Sequence, residues 1–233
     1  MNEEILFSSP EQIALDQQRF ISKVYGWMAG ALALTGLTAW WAASNNDLML
    51  FFANNRGVLF FMFIGQLLLV GSLAGWINKM SFQVATLIFI IYSVLTGFIF
   101  STLFLIYTSG SLATTFLITG GMFAVMSIYG WTTGRDLTKF GSLLFMLLIG
   151  LILASIINMF LGSTMLYWIA TYVGIFIFTG LIAYDTQKLK NMGAYVQEGT
   201  EEHRKGAVVG ALSLYLDFIN LFLMLLRIFG DRK

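Results

Sequence analysis

The sequence contains no cysteine, one proline and one histidine among 233 residues, and only 11% of its residues are charged. Without cysteine, the sequence excludes disulfides, thiolate nucleophiles and cysteine-ligated metals. Its single histidine, His203, lies in a charged segment and cannot by itself supply the converging ligands of a metal site. We expect it to be a solvated loop residue. The net charge of +1 offers no basic surface for nucleic acid, which is therefore not expected as a partner.

Apolar residues are present in excess instead, at 58% of the chain. A soluble domain carries roughly 25% charged residues, and this chain has too few polar side chains to cover a water-facing surface. A lipid bilayer tolerates such a composition. The sequence therefore predicts an all-α integral membrane protein with the bilayer as its solvent.

Apolar stretches of about 20 residues, long enough to cross a bilayer, recur along the chain. The seven predicted spans are residues 24–44, 57–77, 83–107, 112–131, 141–161, 164–184 and 207–229. The links at 108–111 and 162–163 are so short that neighbouring helices must be antiparallel. One seven-span transmembrane domain over 24–233 follows.

Residues 1–23 are predicted to form a cytoplasmic N-terminal arm. Ser9 and Pro10 are typical of an N-cap and a first helical position, which predicts a short amphipathic helix at the membrane surface. Glu3 and Glu4 stand where a secretory signal would be basic, so no cleaved signal peptide is expected.

Lysine and arginine are distributed unequally between the two sides of the predicted topology. With the N-terminus inside, the inner segments hold Arg19, Lys23, Lys79, Arg135, Lys139, Lys188, Lys190, Arg204 and Lys205. The outer segments hold Arg56, Arg227, Arg232 and Lys233. The excess of inner basic residues predicts a cytoplasmic N-terminus. The C-terminus then lies outside, unless the seventh segment dips into the membrane and returns.

Four GxxxG patterns occur within or beside the spans. They are Gly26 with Gly30, Gly71 with Gly75, Gly130 with Gly134, and Gly206 with Gly210. Small residues at this spacing allow close helix contact. We expect packing within the chain, with a dimer face as the alternative.

Two carboxylates within or beside the spans are the main candidates for chemistry, since a charge in hydrocarbon persists only inside a bundle or a wet cavity. Asp217 lies within the last span and Asp185 at the end of the sixth. Helical spacing places Asp217 on one stripe with Ser213, Asn220 and Arg227. A narrow polar stripe on an otherwise apolar helix predicts that the last helix is central in the bundle.

Each carboxylate also has a purely structural interpretation. Asp217 could be a protonated carboxyl in an interhelical hydrogen bond, and Asp185 could cap its helix beside Lys188 and Lys190. If the two face each other, like charges in a low dielectric cannot both ionise cheaply, so one pKa rises. Such a pair would sense pH, gate a pore by repulsion and, when doubly ionised, bind calcium transiently.

At these residues the chain resembles bacterial members of the Bax inhibitor-1, or transmembrane Bax inhibitor motif, family. The resembling segments are Ala183-Tyr-Asp-Thr-Gln-Lys-Leu-Lys190 and Ala211-Leu-Ser-Leu-Tyr-Leu-Asp-Phe-Ile-Asn-Leu-Phe-Leu-Met-Leu-Leu-Arg-Ile-Phe-Gly230. The resemblance implies a seven-helix fold with the last helix enclosed by six others. It also implies a pH-dependent calcium leak controlled by two aspartates, which match Asp185 and Asp217, in a bacterial inner membrane.

The second span departs from some bacterial relatives, in which an arginine near its end latches onto the first aspartate. Here the nearest polar residue is the neutral Gln66, and Lys79 would substitute only as a point charge. The resemblance thus leaves Gln66 and Lys79 as latch candidates. It implies no cofactor, with calcium as the permeant ion.

Other functions compete with the leak. Some family members modulate a membrane-bound protease or suppress cell death, and residues 188–205 are charged and long enough to bind such a partner. An intramembrane aspartyl protease is disfavoured, because Tyr215 and Leu216 precede Asp217 where that class has Gly-x-Gly, so no enzyme is expected. Secondary transport stays open, although no paired Gly/Pro interruptions indicate broken helices.

Overall fold

The computed structural model describes residues 9–233, and helices make up the regular secondary structure of this range. They are α1 (Pro10–Ala43), α2 (Asn46–Asn54), α3 (Arg56–Trp76), α4 (Phe82–Ser101), α5 (Leu103–Ile106), α6 (Ser109–Thr132), α7 (Thr138–Leu161), α8 (Thr164–Gly193) and α9 (Glu201–Phe229). A single 3-10 turn, Ile77–Lys79, follows α3. The prediction of an all-α membrane protein is confirmed.

Among the described residues, 6 helical segments are long and apolar enough to cross a membrane. They are Gly57–Lys79, Phe82–Ile106, Ser109–Thr132, Thr138–Leu161, Thr164–Gly193 and Glu201–Phe229. Each overlaps one of the predicted spans. The predicted span 24–44 lies in α1, where glycine, threonine and tryptophan dilute the apolar residues, and α1 is not among the six.

The N-terminal helix begins where the sequence predicts. The Ser9 side chain accepts a hydrogen bond from the Gln12 backbone N–H at 3.2 Å, as an N-cap does. This helix is not a short one, however: it leads directly into the predicted first span, as α1 continues without a break to Ala43. No glycine or proline interrupts residues 11–25, so nothing ends the helix before the apolar stretch.

The chain divides into two compact units, of which the first comprises the described residues 9–108, 191–215 and 232–233. In it, α1 packs lengthwise on α4. The rings of Trp27 and Phe82 are 6.2 Å apart, and those of Trp41 and Phe98 are 6.3 Å apart. Since residue numbers rise together in the two helices, α1 and α4 are parallel. A Cβ at Gly97 of α4 would come within 2.8 Å of the carbonyl oxygen of Thr35, so this contact requires glycine.

Both ends of α9 are fixed to opposite ends of the α4–α5 segment. At its start, Glu201 accepts a hydrogen bond from the Phe82 N–H at 3.2 Å, and Lys205 donates to the Met80 carbonyl at 3.0 Å. After its end, Arg232 forms an isolated antiparallel bridge with Tyr107. The Lys233 side chain and backbone N–H donate to the carbonyls of Phe104 and Ile106, at 2.7 and 2.9 Å. An uninterrupted helix held in this way runs the length of the α4–α5 segment and does not turn back on itself.

The connection between α8 and α9 is tied to α1 by charge. Glu198 pairs with Arg19 at 2.8 Å and with Lys23 at 2.9 Å. Hydrogen bonds from these two cations hold the pKa of the Glu198 carboxyl below its usual range, first from Lys23 and then from Arg19. All three side chains are well exposed, so solvent screens this contact.

The second unit comprises residues 109–190 and 216–231. Its core joins α7, α8 and α9 through Leu144, Leu151, Ile177, Leu181, Ile182, Leu221 and Leu225. Beside this core, α8 approaches two helices very closely. A Cβ at Gly130 of α6 would overlap the carbonyl of Ala183, and one at Gly141 of α7 would overlap the ring of Tyr184.

The GxxxG patterns predict close helix packing correctly at some of their glycines and wrongly at others. At Gly26, Gly30, Gly71 and Gly75 an added Cβ would meet no protein atom within 4 Å, so the expectation of packing within the chain is wrong for these residues. It is correct for Gly130. Small residues permit a close approach, but the facing helix decides whether one occurs.

Substitution of Gly130 by alanine should destabilise the second unit. The methyl group would force α6 away from α8, and overpacking of this kind costs about 1–3 kcal/mol. Thermal melting of the purified protein would measure the loss. Gly121→Ala is the matched control, since Gly121 lies in the same helix with open space around it and should melt at or slightly above the parent temperature.

Acid should loosen the connection between α8 and α9. Because the pKa of Glu198 is lowered in the folded chain, its stabilising effect is present at neutral pH and is lost as pH falls through and below the ordinary glutamate pKa of about 4.3. Glu198→Gln should therefore increase proteolysis of residues 191–200 at pH 7, and its difference from the parent should shrink progressively as pH falls below about 4. Glu202→Gln, an exposed glutamate outside the ion pairs of the described residues, should match the parent at both pH values. Equal proteolysis of the Glu198 variant and the parent at pH 7 would contradict this role.

Candidate functional site

Asp217 is buried within α9, with 5% of its surface exposed. Its helix forms because leucine, a strong helix former, dominates residues 211–226. Oδ2 of Asp217 is buried and accepts no hydrogen bond from any described residue. Because a buried, unpartnered carboxylate oxygen is costly, its persistence marks a site that warrants a functional explanation.

The immediate surroundings of Asp217 in the second unit are apolar. Phe218, the next residue, lies edge-on to Phe116 and Phe123 of α6, with ring centroids 5.2 and 5.8 Å apart. One turn further, Leu221 is fully buried in the core of this unit. The low dielectric of such a setting strengthens any interaction with another charge.

Asp185 is the charged residue that acts on Asp217. The two carboxyls, both in the second unit, interact through their charges. The helix-cap interpretation of Asp185 is wrong, since α8 continues to Gly193. Lys190 does not pair with it either: its ammonium donates to the Trp131 carbonyl at 2.8 Å and lies over the Trp131 ring.

The residues that flank Asp185 are held against α6 and the α6–α7 connection. Thr186 and Ser127 hydroxyls are 3.4 Å apart. The Gln187 amide accepts from the Leu137 N–H and donates to the Arg135 carbonyl, each at 2.8 Å. Together with the close approach at Gly130, these bonds fix where α8 presents the half-buried Asp185.

The polar stripe of α9 is more accessible than the rest of that helix. Ser213, Asn220 and Arg227 are each half-buried, whereas most of their neighbours are buried. The Asn220 amide donates to the Leu216 carbonyl at 2.8 Å. The Arg227 guanidinium donates to the Thr171 hydroxyl at 3.3 Å and lies 4.9 Å from the centre of the Tyr167 ring. Arg227 is thus held by α8 of the same unit and not by a carboxylate among the described residues.

The two latch candidates lie in the first unit. Gln66 is buried in α3 and its amide donates to the Thr96 hydroxyl at 2.6 Å. Lys79 is exposed in the 3-10 turn after α3 and takes part in none of the ion pairs formed within residues 9–233. The latch therefore stays a prediction for both residues.

Sequence reasoning missed a buried hydrogen-bonded network in the first unit. The Tyr215 hydroxyl lies 2.7 Å from the Thr35 hydroxyl, which donates to the Ser93 carbonyl at 3.0 Å. Thr96, one turn after Tyr92, receives the Gln66 amide and bonds the Tyr92 carbonyl at 2.9 Å. This network joins α1, α3, α4 and α9. The only signal in the sequence was a run of hydroxyl residues on one face of an apolar span.

His203 is not the solvated residue that we expected. It is 1% exposed, its ring lies 5.2 Å from that of Phe20, and Nδ1 has no partner among the described residues. The charged neighbours in sequence were misleading because the histidine points inward from the first turn of α9. Within residues 9–233 no group of three His, Cys, Asp or Glu side chains could hold a resident metal.

The sequence matches one protein family and several bacterial proteins over nearly its whole length. Residues 17–233 match the family described as inhibitor of apoptosis-promoting Bax1. Inner membrane protein YbhL of Escherichia coli strain K12 is 52% identical over 217 residues, which cover 93% of each chain. An uncharacterized protein of Borreliella burgdorferi is 44% identical over 223 residues, 96% of each chain. The uncharacterized protein RP147 of Rickettsia prowazekii is 43% identical over 217 residues, 93% of this chain and 91% of its own. Given matches that span nearly the whole chain, the chain belongs to the Bax inhibitor family.

Proposed function

We propose that this chain is a pH-sensitive calcium leak channel gated by Asp185 and Asp217. The observation that carries the proposal is the buried carboxyl of Asp217, with Oδ2 unpartnered and the charge of Asp185 acting on it. Family membership supports it. The proposed activity is transport and involves no catalytic step.

The gating follows from charge repulsion. Two ionised carboxylates in an apolar setting repel strongly, while a proton shared between them removes the repulsion and permits a hydrogen bond. The closed state is therefore the protonated one. Loss of the proton pushes α8 and α9 apart at this level, and the freed oxygens are hard ligands of the kind that calcium prefers.

Calcium would bind here only in transit. Two carboxylates supply fewer oxygens than the six to eight that calcium takes, so water must complete the shell. Incomplete coordination suits an ion that has to leave again. The half-buried amide of Asn220, one turn from Asp217, is placed to supply a further oxygen along the stripe.

Calcium flux into proteoliposomes between pH 5 and 8 tests the proposal. We expect flux to rise with pH in the parent chain and to lose most of this dependence in Asp185→Asn and Asp217→Asn, because the single carboxyl left in each variant has no second charge to repel it. Asp47→Asn, a change to an exposed aspartate of α2, should keep the parent profile.

Each variant must elute and melt as a folded protein before its flux is interpreted. Absence of flux from folded parent protein at every pH would overturn the leak. Persistence of the parent pH profile in both aspartate variants would leave a leak but remove the gate from this pair.

The second candidate function is regulation of a membrane-bound protease or of stress and cell-death responses. It is favoured by the connection at 194–200, which lies between α8 and α9 and exposes 72% of Tyr195. In this case the aspartates would be structural. A folded chain without flux, whose protein partners are lost in Tyr195→Ser, would favour this function.

We also infer a seven-span topology in a bacterial inner membrane, with α1 as the first span and the N-terminus in the cytoplasm. Trp27 and Trp41 of α1 contact the two ends of α4, about 21 Å apart along the helix. Since α4 is itself apolar enough to cross, a parallel helix beside it crosses most of the same thickness. In the first unit, Lys23 and Lys205 lie at the end where α4 begins, as expected of a cytoplasmic side.

Single cysteines test this topology cleanly, because the chain has none. With an impermeant thiol reagent on intact cells, Asn54→Cys in α2 should be labelled from outside. Gln12→Cys, at an exposed position near the start of α1, should be labelled only after the membrane is opened. Labelling of both from the same side would exclude α1 as a span between them.

A further inference from the structure

The first unit contains an apolar groove between α1 and α4. Its volume is about 220 Å³, and its walls include Trp27, Gly30 and Leu34 of α1 with Phe89, Ile90 and Ser93 of α4. It runs from Trp27 to Leu34, about 10 Å along the helix. The groove does not involve the aspartates, and neither the leak nor its gate explains it.

The polar side chain in the groove does not need a hydrogen bond from water. The Ser93 hydroxyl donates to the Phe89 carbonyl of its own helix at 2.8 Å, so it is already satisfied. Gly30 leaves one wall open, since an added Cβ would meet no protein atom within 4 Å. Because α4 is a candidate membrane span, the medium that reaches this groove is the acyl region of a bilayer.

A cation lies near the Trp27 end of the groove. The Trp27 ring contacts Phe82, and the guanidinium of Arg204 lies 5.3 Å from the centre of the Phe82 ring. Arg204 is exposed and belongs to none of the ion pairs within the described residues, whereas nearby Lys23 is committed to Glu198. Arg204 is therefore a cation available to a ligand, and its guanidinium, unlike the ammonium of the exposed Lys79, binds phosphate in a bidentate manner.

We propose that this groove binds an anionic phospholipid, with one acyl chain between α1 and α4 and the headgroup phosphate on Arg204. Charge complementarity selects the headgroup: a zwitterionic lipid brings its own cation, while an anionic lipid neutralises Arg204. Tryptophan at the junction of headgroup and acyl region is typical of a membrane interface, as Trp27 is here. The site fixes α1 against α4 through a ligand as well as through direct contacts.

Native mass spectrometry of the full chain, delipidated and titrated with phosphatidylglycerol or phosphatidylcholine, tests the site. We expect the parent to retain one phosphatidylglycerol in preference to phosphatidylcholine by about fivefold, the effect of one basic residue near a lipid headgroup. Arg204→Gln should lose that preference, whereas Arg135→Gln, at an exposed arginine of the second unit, should keep it.

Filling the groove is the sharper test of the acyl chain. Gly30→Leu should abolish retention of the lipid, because its side chain occupies the open wall. Gly36→Leu is the matched control: Gly36 lies on the same helix, also in open space but outside the groove, and should bind as the parent does. Both variants are checked by elution and melting.

Equal retention of both lipids by the parent, or parent-like retention by Gly30→Leu, would overturn the proposal. Displacement of the lipid by millimolar inorganic phosphate alone would also overturn it, because it would reduce the site to an anion contact. None of these outcomes depends on calcium flux, so the experiments test the lipid site independently of the leak.

Discussion

Burial of α9 is the constraint on which the rest of the structure depends. Of the apolar window in this helix, 72% lies inside the protein, against 11% to 44% for the other candidate spans. A helix so enclosed has little contact with lipid or water, and its polar groups must find partners in protein. Tyr215 does so in a hydrogen-bonded network, and Arg227 does so on Thr171 and Tyr167. Asp217, between them, has an Oδ2 to which no described residue donates, and the carboxyl of Asp185 acts on it.

The buried polar side chains of α9 differ in whether they have hydrogen-bond partners. Tyr215 is satisfied and holds α1 and α4 in place, so its hydroxyl contributes to the specificity of packing. Asp217 keeps an unpartnered oxygen, which opposes stability. The flanks of Asp185 are fixed by Gln187 and by the close contact at Gly130, so the free energy of the surrounding packing maintains the unfavourable pair.

Much of this could be predicted from sequence, for a physical reason. Lipid requires about 20 apolar residues per crossing, and this length located each of the six candidate spans. The features that could not be predicted from the sequence depend on which residues of a neighbouring helix lie opposite. Gly26 and Gly130 sit in the same GxxxG pattern, yet only Gly130 has a neighbour in contact. His203 was misplaced because its neighbours along the chain are charged while its neighbour in space is Phe20. The hydrogen bond of Gln66 to Thr96 was invisible for the same reason.

The division of α9 between the units has a consequence for biogenesis. Residues 201–215 complete the first unit and residues 216–229 complete the second, so both cores lack a helix until the end of the chain is made. Earlier spans must enter the membrane with their inner faces uncovered. At that stage Thr35 lacks its contact with Tyr215, and the core around Ile177 lacks Leu221 and Leu225. The nascent chain is therefore dependent on the insertion machinery or on lipid to cover these faces until the last helix arrives. A truncation near the start of α9 would leave both units incomplete. The whole protein, and not one unit alone, would then be exposed to quality-control proteases.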